Sequence, residues 1–358
     1  MSPAKRIAIR ADASSTIGAG HIMRCLTLAN ELRHAGAEIL FLSRNVTGDA
    51  FDIIHNNCFP SISLGNATSW SCDADRTLAA LINQPPFDWL IVDHYGLDRG
   101  WESRTRSVAH KILVIDDLAN RPHDCDALLD QNYYINAKQR YDSLVPSNCR
   151  LFLGLEFALL RNEFKIAARN VRPRQNHIRR ILVTFGATDP TNETEKVLSA
   201  LRSLDSPLIS VDVVVGTANL RRSVIEALCS AMPRVRCHVQ TNRMVELMNA
   251  ADLAIGAAGA TTWERCILGL PALTVITADN QKQTASDLAA AGAIWLLGQA
   301  NDLTANHYET ALRTAIDSPA RLRSLSIRAR DIMAMSTALP EDKRHPVVEM
   351  MLEKTHHA

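Results

Sequence analysis

Short apolar runs alternate along this chain with longer segments whose apolar residues recur at helical spacing. In the first half, the apolar runs predict strands over residues 6–10, 38–43, 61–64, 89–92 and 111–115, with a sixth strand beginning at 126. The intervening segments predict helices over 21–32, 50–57, 77–83 and 99–109. Strands and helices that alternate at this spacing form a parallel sheet with helices on both faces, so an α/β fold is expected.

The same alternation begins again in the second half of the chain. Apolar runs predict strands over 180–185, 209–215, 235–239, 251–255, 272–276 and 294–297, and a helical remainder. A polar, basic stretch over 168–180 lacks apolar periodicity and contains a proline, which predicts a linker. We therefore expect two Rossmann-like domains facing a cleft, at 1–167 and 168–335, with C-terminal helices and a tail at 336–358.

A glycine-bearing loop between the first strand and the first helix carries the first candidate chemistry. It runs from Asp12 through Gly18 and Gly20 to His21, which falls at the helix N-terminus. Backbone N–H groups at a helix N-terminus favour an anion such as a phosphate and disfavour an imidazolium. His21 is thus expected to be neutral and able to accept a proton. The alternative is a simple turn with a surface histidine, because Gly-x-Gly is a common pattern.

Two further polar clusters directly follow apolar strands. They are Asp93-His94-Tyr95 and Asp116-Asp117. Ligands of parallel sheets bind beyond the carboxyl ends of the strands, so these clusters and the first loop are expected to share one site. The alternative is that the aspartates merely cap helices.

A second glycine-bearing loop, Gly256-Ala-Ala-Gly259-Ala-Thr-Thr262-Trp-Glu264, lies in the second half. Its small residues allow close approach of backbone amides to a diphosphate. Glu264 falls on the first turn of the next helix, where a carboxylate can accept two hydrogen bonds from a ribose diol. The alternative is a tight turn whose acidic residue complements the helix dipole.

Composition excludes several function classes. The chain has 358 residues, 47% of them apolar, and a net charge of +1, which argues against a nucleic-acid-binding protein. The sequence has no apolar stretch of transmembrane length and no signal peptide, so a cytoplasmic protein without membrane insertion is expected. Its eight cysteines are scattered without a Cys-x-x-Cys pair, which argues against a metal site.

Several motifs in matching order resemble one family. These are the segments 12–22, 92–96, 115–117, 125–126, 155–164 (Leu-Glu-Phe-Ala-Leu-Leu-Arg-Asn-Glu-Phe), 185–189 (Phe-Gly-Ala-Thr-Asp) and 280–281 (Asn-Gln). Together they resemble the UDP-sugar hydrolases of pseudaminic acid biosynthesis, with related sequences in spore-coat polysaccharide synthesis. The resemblance covers residues 5 to 300 and implies a GT-B-like fold of the glycosyltransferase type.

The resemblance implies an activity, and it assigns His21, Gly18, Gly20, Glu264, Asn280 and Gln281 to the site; the other site residues below are expected from the residue patterns. The substrate would be UDP-2,4-diacetamido-2,4,6-trideoxy-β-L-altropyranose, which water cleaves at the C1–O bond with inversion to give UDP and the free sugar, without a cofactor or metal. A monomer that acts on this small molecule is expected, in flagellin glycosylation or surface polysaccharide synthesis. The expected catalytic residues are His21, Asp12 and Asp93. The expected substrate-binding residues are Gly18, Gly20, Arg24, His94, Tyr95, Gly186, Thr188, Met244, Gly259, Ala260, Thr261, Glu264, Asn280 and Gln281.

The sequence is compatible with two roles for some of these residues. His94 and Tyr95 either contact the acetamido groups or pack structurally, and Asn280 either binds the substrate or caps a helix. The chain also departs from the family at Ala187, where the family has glycine, and at Phe157, where it has tyrosine. A final helix over 346–354 is expected to cross back onto the first domain, as in GT-B proteins.

Two other functions are compatible with the same sequence. A UDP-sugar-dependent glycosyltransferase would have the same fold and the same nucleotide site, but it needs an acceptor groove. The first domain has no basic amphipathic helix suited to a membrane surface, which weakens this alternative. A non-enzymatic nucleotide-sugar-binding module would not need the histidine.

Overall fold

The alternating pattern produces two parallel sheets, one in each half of the chain. The computed structural model describes residues 4–13, 20–44, 50–172, 174, 177–204, 206–337 and 343–353. The chain divides into two units, Met1–Leu159 with Leu339–Ala358, and Leu160–Ala338.

The first unit contains a seven-stranded parallel sheet in the described residues. Its strands are β1 (Arg6–Ala11), β2 (Glu38–Ser43), β3 (Ser61–Ser63), β4 (Phe87–Asp93), β5 (Ala109–Ile115), β6 (Ala127–Asp130) and β7 (Arg150–Leu153), in the order β3-β2-β1-β4-β5-β6-β7. The helices between them are α1 (Gly20–His34), α2 (Ala50–Asn56), α3 (Trp70–Leu81) and α4 (Arg99–Thr105). The strand order reverses its direction between β1 and β4, and ligands of such sheets bind at this reversal.

The second unit contains a six-stranded parallel sheet, again among the described residues. Its strands are β8 (Arg180–Thr184), β9 (Ser210–Val215), β10 (Val235–Val239), β11 (Leu253–Ala257), β12 (Ala272–Ile276) and β13 (Trp295–Gln299), in the order β10-β9-β8-β11-β12-β13. Its helices are α5 (Asn162–Ala168), α6 (Glu193–Leu204), α7 (Arg222–Ser230), α8 (Met244–Ala250), α9 (Thr261–Ile267), α10 (Lys282–Ala290), α11 (Ala305–Ile316) and α12 (Pro319–Thr337). Here the order reverses between β8 and β11.

Each face of the first sheet buries a separate set of apolar residues. Ile7 and Ile9 of β1 and Ile91 of β4 pack with α1 in one cluster. Ala8 and Leu90, the residues next to them, pack in a second cluster on the opposite face. Successive side chains of a strand point to opposite faces, so this parity decides which helix each residue meets.

The last helix of the chain, α13 (Pro346–Leu352), packs on the first sheet. It buries Val347, Val348, Met350 and Met351 in the cluster that contains α1. The indole of Trp89 on β4 donates a hydrogen bond of 3.1 Å to the carbonyl oxygen of Met351. This end of the chain is therefore part of the first unit's core.

The structure differs from the sequence prediction in its details. Strand β7 was not predicted, and α3 begins at Trp70 rather than at residue 77. The division between the units falls at Leu160 rather than at 168, because α5 belongs to the second unit. None of the helices in the described ranges is both long and apolar enough to cross a membrane.

We expect Met351→Ala to lower the free energy of unfolding of the first unit by about 2–5 kcal/mol, because truncation removes buried contacts and leaves a cavity. Urea unfolding followed by tryptophan fluorescence measures the change. Glu349→Ala, on the exposed side of the same helix, is the matched control and should shift stability by no more than about 0.5 kcal/mol. Equal unfolding midpoints for the two variants would contradict the packing of α13 on this core.

Candidate functional site

The candidate site of the first unit lies where the strand order reverses, at the carboxyl ends of β1 and β4. The register pairs Ala11 of β1 with Asp93 of β4. Paired residues of parallel strands point to the same face, and Ala11 belongs to the cluster that packs on α1. Asp93 therefore points toward the start of α1, which carries His21.

Asp93 is fully buried and forms the centre of this site. Its Oδ1 atom contacts Nδ1 of His21 in a short hydrogen bond. Arg24, one turn further along α1, donates to Oδ2 through Nε and to Oδ1 through Nη2, both at 2.6 Å. Burial alone would raise the pKa of Asp93, but the charge of Arg24 and the bonds from Arg24 and His21 outweigh burial and hold this pKa well below its usual value.

The contact with Asp93 fixes the tautomer of His21. A carboxylate is only an acceptor, so Nδ1 carries the hydrogen and Nε2 has the lone pair. Nε2 has no hydrogen-bond partner among the described residues, and the His21 side chain is 7% exposed. The ring of Tyr95 packs edge-on against the imidazole, with 4.5 Å between ring centroids. The imidazole is thus held in one orientation with a basic nitrogen available.

Arg24 and Tyr95 are both bound to Asp117, at the end of β5. Arg24 donates from Nη1 to Oδ2 of Asp117 at 3.0 Å. Burial is the main reason that the pKa of Tyr95 lies well above its usual value, and the charge and hydrogen bond of Asp117 add to this shift. The polar atoms of both predicted substrate-binding residues therefore have partners within the unit.

Asp12, the other predicted catalytic carboxylate, lies in a different network. It accepts two hydrogen bonds from the buried Arg10, at 2.6 and 3.0 Å, and one from Nε of Arg44 at 2.6 Å. Burial tends to raise the pKa of Asp12, but the bond from His94 and the charge of Arg10 outweigh it and hold this pKa far below its usual value. Within the described part of the chain, Asp93 contacts His21 and Asp12 does not.

His94 belongs to the Asp12 network. Its Nδ1 accepts from the backbone N–H of Gly96 at 2.9 Å, and its Nε2 lies 3.3 Å from Oδ2 of Asp12. Burial lowers the pKa of His94. With both ring nitrogens occupied, His94 supports the loop after β4.

The predicted residues of the second unit all lie at the carboxyl edge of its sheet. After β8, Gly186 has a φ of +85°, a conformation that strains other residues, and Thr188 follows in the same turn. Asp189 accepts hydrogen bonds of 2.9 Å from the backbone N–H groups of Glu193 and Thr194. Two donors at the start of α6 are therefore already occupied by a carboxylate of the protein.

Glu264, on α9, is paired with an arginine that the sequence analysis did not place in the site. Nε of Arg161 donates to Oε1 of Glu264 at 2.9 Å. Oε2 is buried and has no hydrogen-bond partner among the described residues. Burial raises the pKa of Glu264, and the charge of Arg161 offsets part of that rise. One carboxylate oxygen is thus held in place while the other is open to a donor.

The loops after β11 and β12 lie against each other. A Cβ atom added to Gly259 would lie 3.8 Å from Nε2 of Gln281. Oε1 of Gln281 accepts from the backbone N–H of Thr277 at 2.9 Å, which fixes the amide. Asn280 is half-buried in the same turn.

The remaining predicted residues are placed at the ends of helices. Ala260 precedes α9 and Thr261 begins it, Met244 begins α8, and Gly20 begins α1. Gly18 lies outside the described residues. The sequence analysis missed Arg10, Arg44 and Arg161. Two signals were available: Arg10 is a charged residue between apolar positions of a strand, and Arg161 lies in the 155–164 motif.

One family model matches the second unit. Residues 181–333 match the model of the glycosyltransferase family 28 C-terminal domain. This match begins in β8 and ends in α12, so it covers the second sheet and its helices.

Known proteins resemble most of the chain. It is 28% identical over 288 residues to a UDP-2,4-diacetamido-2,4,6-trideoxy-β-L-altropyranose hydrolase of Campylobacter jejuni, covering 80% of this chain and 97% of that protein. It is 25% identical over 294 residues to the spore coat polysaccharide biosynthesis protein SpsG of Bacillus subtilis, covering 82% and 83%. The crystal structure of MurG from Acinetobacter baumannii superposes with a TM-score of 0.59 at 16% identity, covering 91% of this chain and 95% of that one.

These findings confirm both the fold class and the family resemblance predicted from the sequence. Other solved structures that resemble the chain include a glycosyltransferase of Rickettsia africae and a UDP-GlcNAc 2-epimerase of Neisseria meningitidis, and at 10% and 13% identity they support the fold alone. The chain therefore has a GT-B-like α/β fold and is similar over most of its length to the UDP-2,4-diacetamido-2,4,6-trideoxy-β-L-altropyranose hydrolases.

Proposed function

We propose that this chain is a UDP-sugar hydrolase that cleaves UDP-2,4-diacetamido-2,4,6-trideoxy-β-L-altropyranose at the C1–O bond with inversion. The observation that carries the proposal is the geometry of His21, whose Nδ1 is fixed on Asp93 while Nε2 has no partner among the described residues. The similarity to the Campylobacter jejuni hydrolase supports the choice of substrate.

His21 is the general base of the proposed reaction. Nε2 takes a proton from water while the water oxygen forms a bond to C1 of the sugar. The C1–O bond breaks on the opposite face, and its electron pair leaves on the UDP oxygen, which inverts the configuration. The negative charge of Asp93 stabilises the imidazolium that forms.

Asp93 and Arg24 are positioning residues for this base. Asp93 holds the imidazole in the tautomer that leaves Nε2 unprotonated. Arg24 occupies both carboxylate oxygens at 2.6 Å, which keeps Asp93 ionised and prevents its rotation. The base is therefore preorganised, and reorientation need not accompany proton transfer.

The second unit binds the nucleotide in this proposal. Oε2 of Glu264 is the open acceptor for a ribose hydroxyl, and Arg161 keeps the other oxygen from rotating into its place. The loop at Gly259 and the amide of Gln281 lie at the same sheet edge, where ligands of parallel sheets bind.

The test of the function is UDP release from the diacetamido-altrose nucleotide in ¹⁸O-labelled water without an acceptor, with UDP-N-acetylglucosamine as the control substrate. We expect release from the first substrate alone and ¹⁸O in the sugar. ¹⁸O in UDP would mean attack at phosphorus and would contradict the role of His21 at C1. Binding of UDP without release would instead favour a glycosyltransferase.

We expect His21→Asn to lower kcat by about 10²–10⁴-fold, because the variant loses the proton acceptor. UDP affinity should stay unchanged, which separates the loss of a base from a loss of binding. His34→Asn is the matched control, an exposed histidine at the other end of the same helix, and should keep wild-type kcat. Near-normal turnover of folded His21→Asn would rule out this base.

We expect Asp93→Asn to lower kcat by at least about 100-fold with little change in UDP affinity, because an amide can donate to Nδ1 and leave Nε2 protonated. Circular dichroism checks that the variant folds. Glu102→Gln is the matched control, since Glu102 is a fully buried carboxylate paired with His123 at 2.7 Å in the same unit. A kcat that falls equally in both variants would indicate a structural effect rather than control of the tautomer.

A further inference from the structure

Arg265, on α9 of the second unit, is a charged residue buried in the sheet–helix interface. It is 1% exposed. Nη2 donates to the carbonyl oxygen of Ala257 at 2.8 Å and to Oγ1 of Thr262 at 2.9 Å. Ala257 ends β11 and Thr262 lies in the first turn of α9, so the guanidinium connects both ends of the loop at 258–260.

The positive charge of Arg265 has no carboxylate partner in the described residues. Nε and Nη1 are buried without a hydrogen-bond acceptor there. The neighbouring Glu264 is already paired with Arg161. Burial lowers the pKa of Arg265 to about 10, so the guanidinium stays protonated at neutral pH. A buried charge without a counterion is unfavourable, and proteins rarely keep one.

Gly256 shows where this charge lies. A Cβ atom at Gly256 would be 2.8 Å from Nη1 of Arg265 and 2.3 Å from the carbonyl oxygen of Thr184. Thr184 ends β8 and Gly256 lies near the end of β11, so the guanidinium lies beside the reversal of the strand order. Ligands of parallel sheets bind at such a reversal. The loop that follows β11 at this reversal is the one proposed to bind the nucleotide.

We propose that Arg265 is a positioning residue whose buried positive charge selects a diphosphate over an uncharged ligand at the 258–260 loop, without touching the ligand. This inference rests on the proposed binding of a uridine nucleotide by the second unit. In a low-dielectric interior, a charge acts over several ångströms, so an anion above the loop supplies the counterion that the protein lacks. A purely structural role would affect charged and uncharged ligands alike.

The test compares UDP with uridine as ligands of the full chain. Arg265→Gln removes the charge and keeps an amide donor for the loop. We expect it to weaken UDP binding by about tenfold or more, with uridine affinity changed less than about twofold. Arg265→Lys keeps the charge and should preserve the ratio of UDP affinity to uridine affinity, even if both become weaker. Calorimetry measures UDP binding, and NMR titration measures the weaker uridine binding.

The outcomes separate this inference from the proposed function. If Arg265→Gln leaves the ratio of UDP affinity to uridine affinity unchanged, whether or not both affinities fall, the role of the charge is overturned. A lower ratio of UDP affinity to uridine affinity in Arg265→Lys than in the wild type would also overturn it. This variant tests the inference if the glutamine variant does not fold. Wild-type protein that binds neither ligand would overturn nucleotide binding by the second unit, and the inference with it.

Discussion

The candidate site of the first unit depends on the fully buried carboxylate of Asp93. A carboxylate removed from water is stable only if its oxygens receive enough hydrogen bonds and opposite charge. Arg24 supplies both, and His21 supplies a further bond. The two residues are three positions apart on α1 and so lie on the same helix face. The stabilisation of Asp93 and the orientation of the imidazole are therefore the same set of contacts.

Buried charges are arranged differently in the two units. In the first, Arg10 lies between Asp12 and Asp73, with Arg44 as a second cation on Asp12. Each of these charges has an opposite partner, so the network can hold loops without a ligand. In the second, Arg161 pairs with Glu264, whereas Arg265 has no ion pair among the described residues. This difference agrees with the two proposals, in which the first unit holds a base and the second unit binds an anion.

The parity of the strands explains why two aspartates with similar sequence contexts have different partners. Asp12 and Asp93 each lie at the end of an apolar run, and the sequence pattern does not distinguish which of them contacts His21. In the structure, Arg10 lies on the face opposite to Ile9 and reaches Asp73 of α3. Asp93 pairs with Ala11 and lies on the α1 face. A shift of one residue in this register would exchange the two faces.

The sequence by itself determined most of the elements and, through its motifs, the GT-B-like fold, because the periodicity of apolar residues is a local property. It also predicted the two strand-to-helix connections after which His21 and Glu264 follow on the first turn of a helix. Only the tertiary structure decided the partners of these residues, because Asp93 and Arg161 reach them through strand register and chain packing across long sequence separations. Strand β7 was missed because its apolar run is only three residues long, Leu151 to Leu153, and its pairing at the sheet edge is a tertiary contact. The charge of Arg265 likewise acquires meaning only from burial, which the sequence around it does not encode.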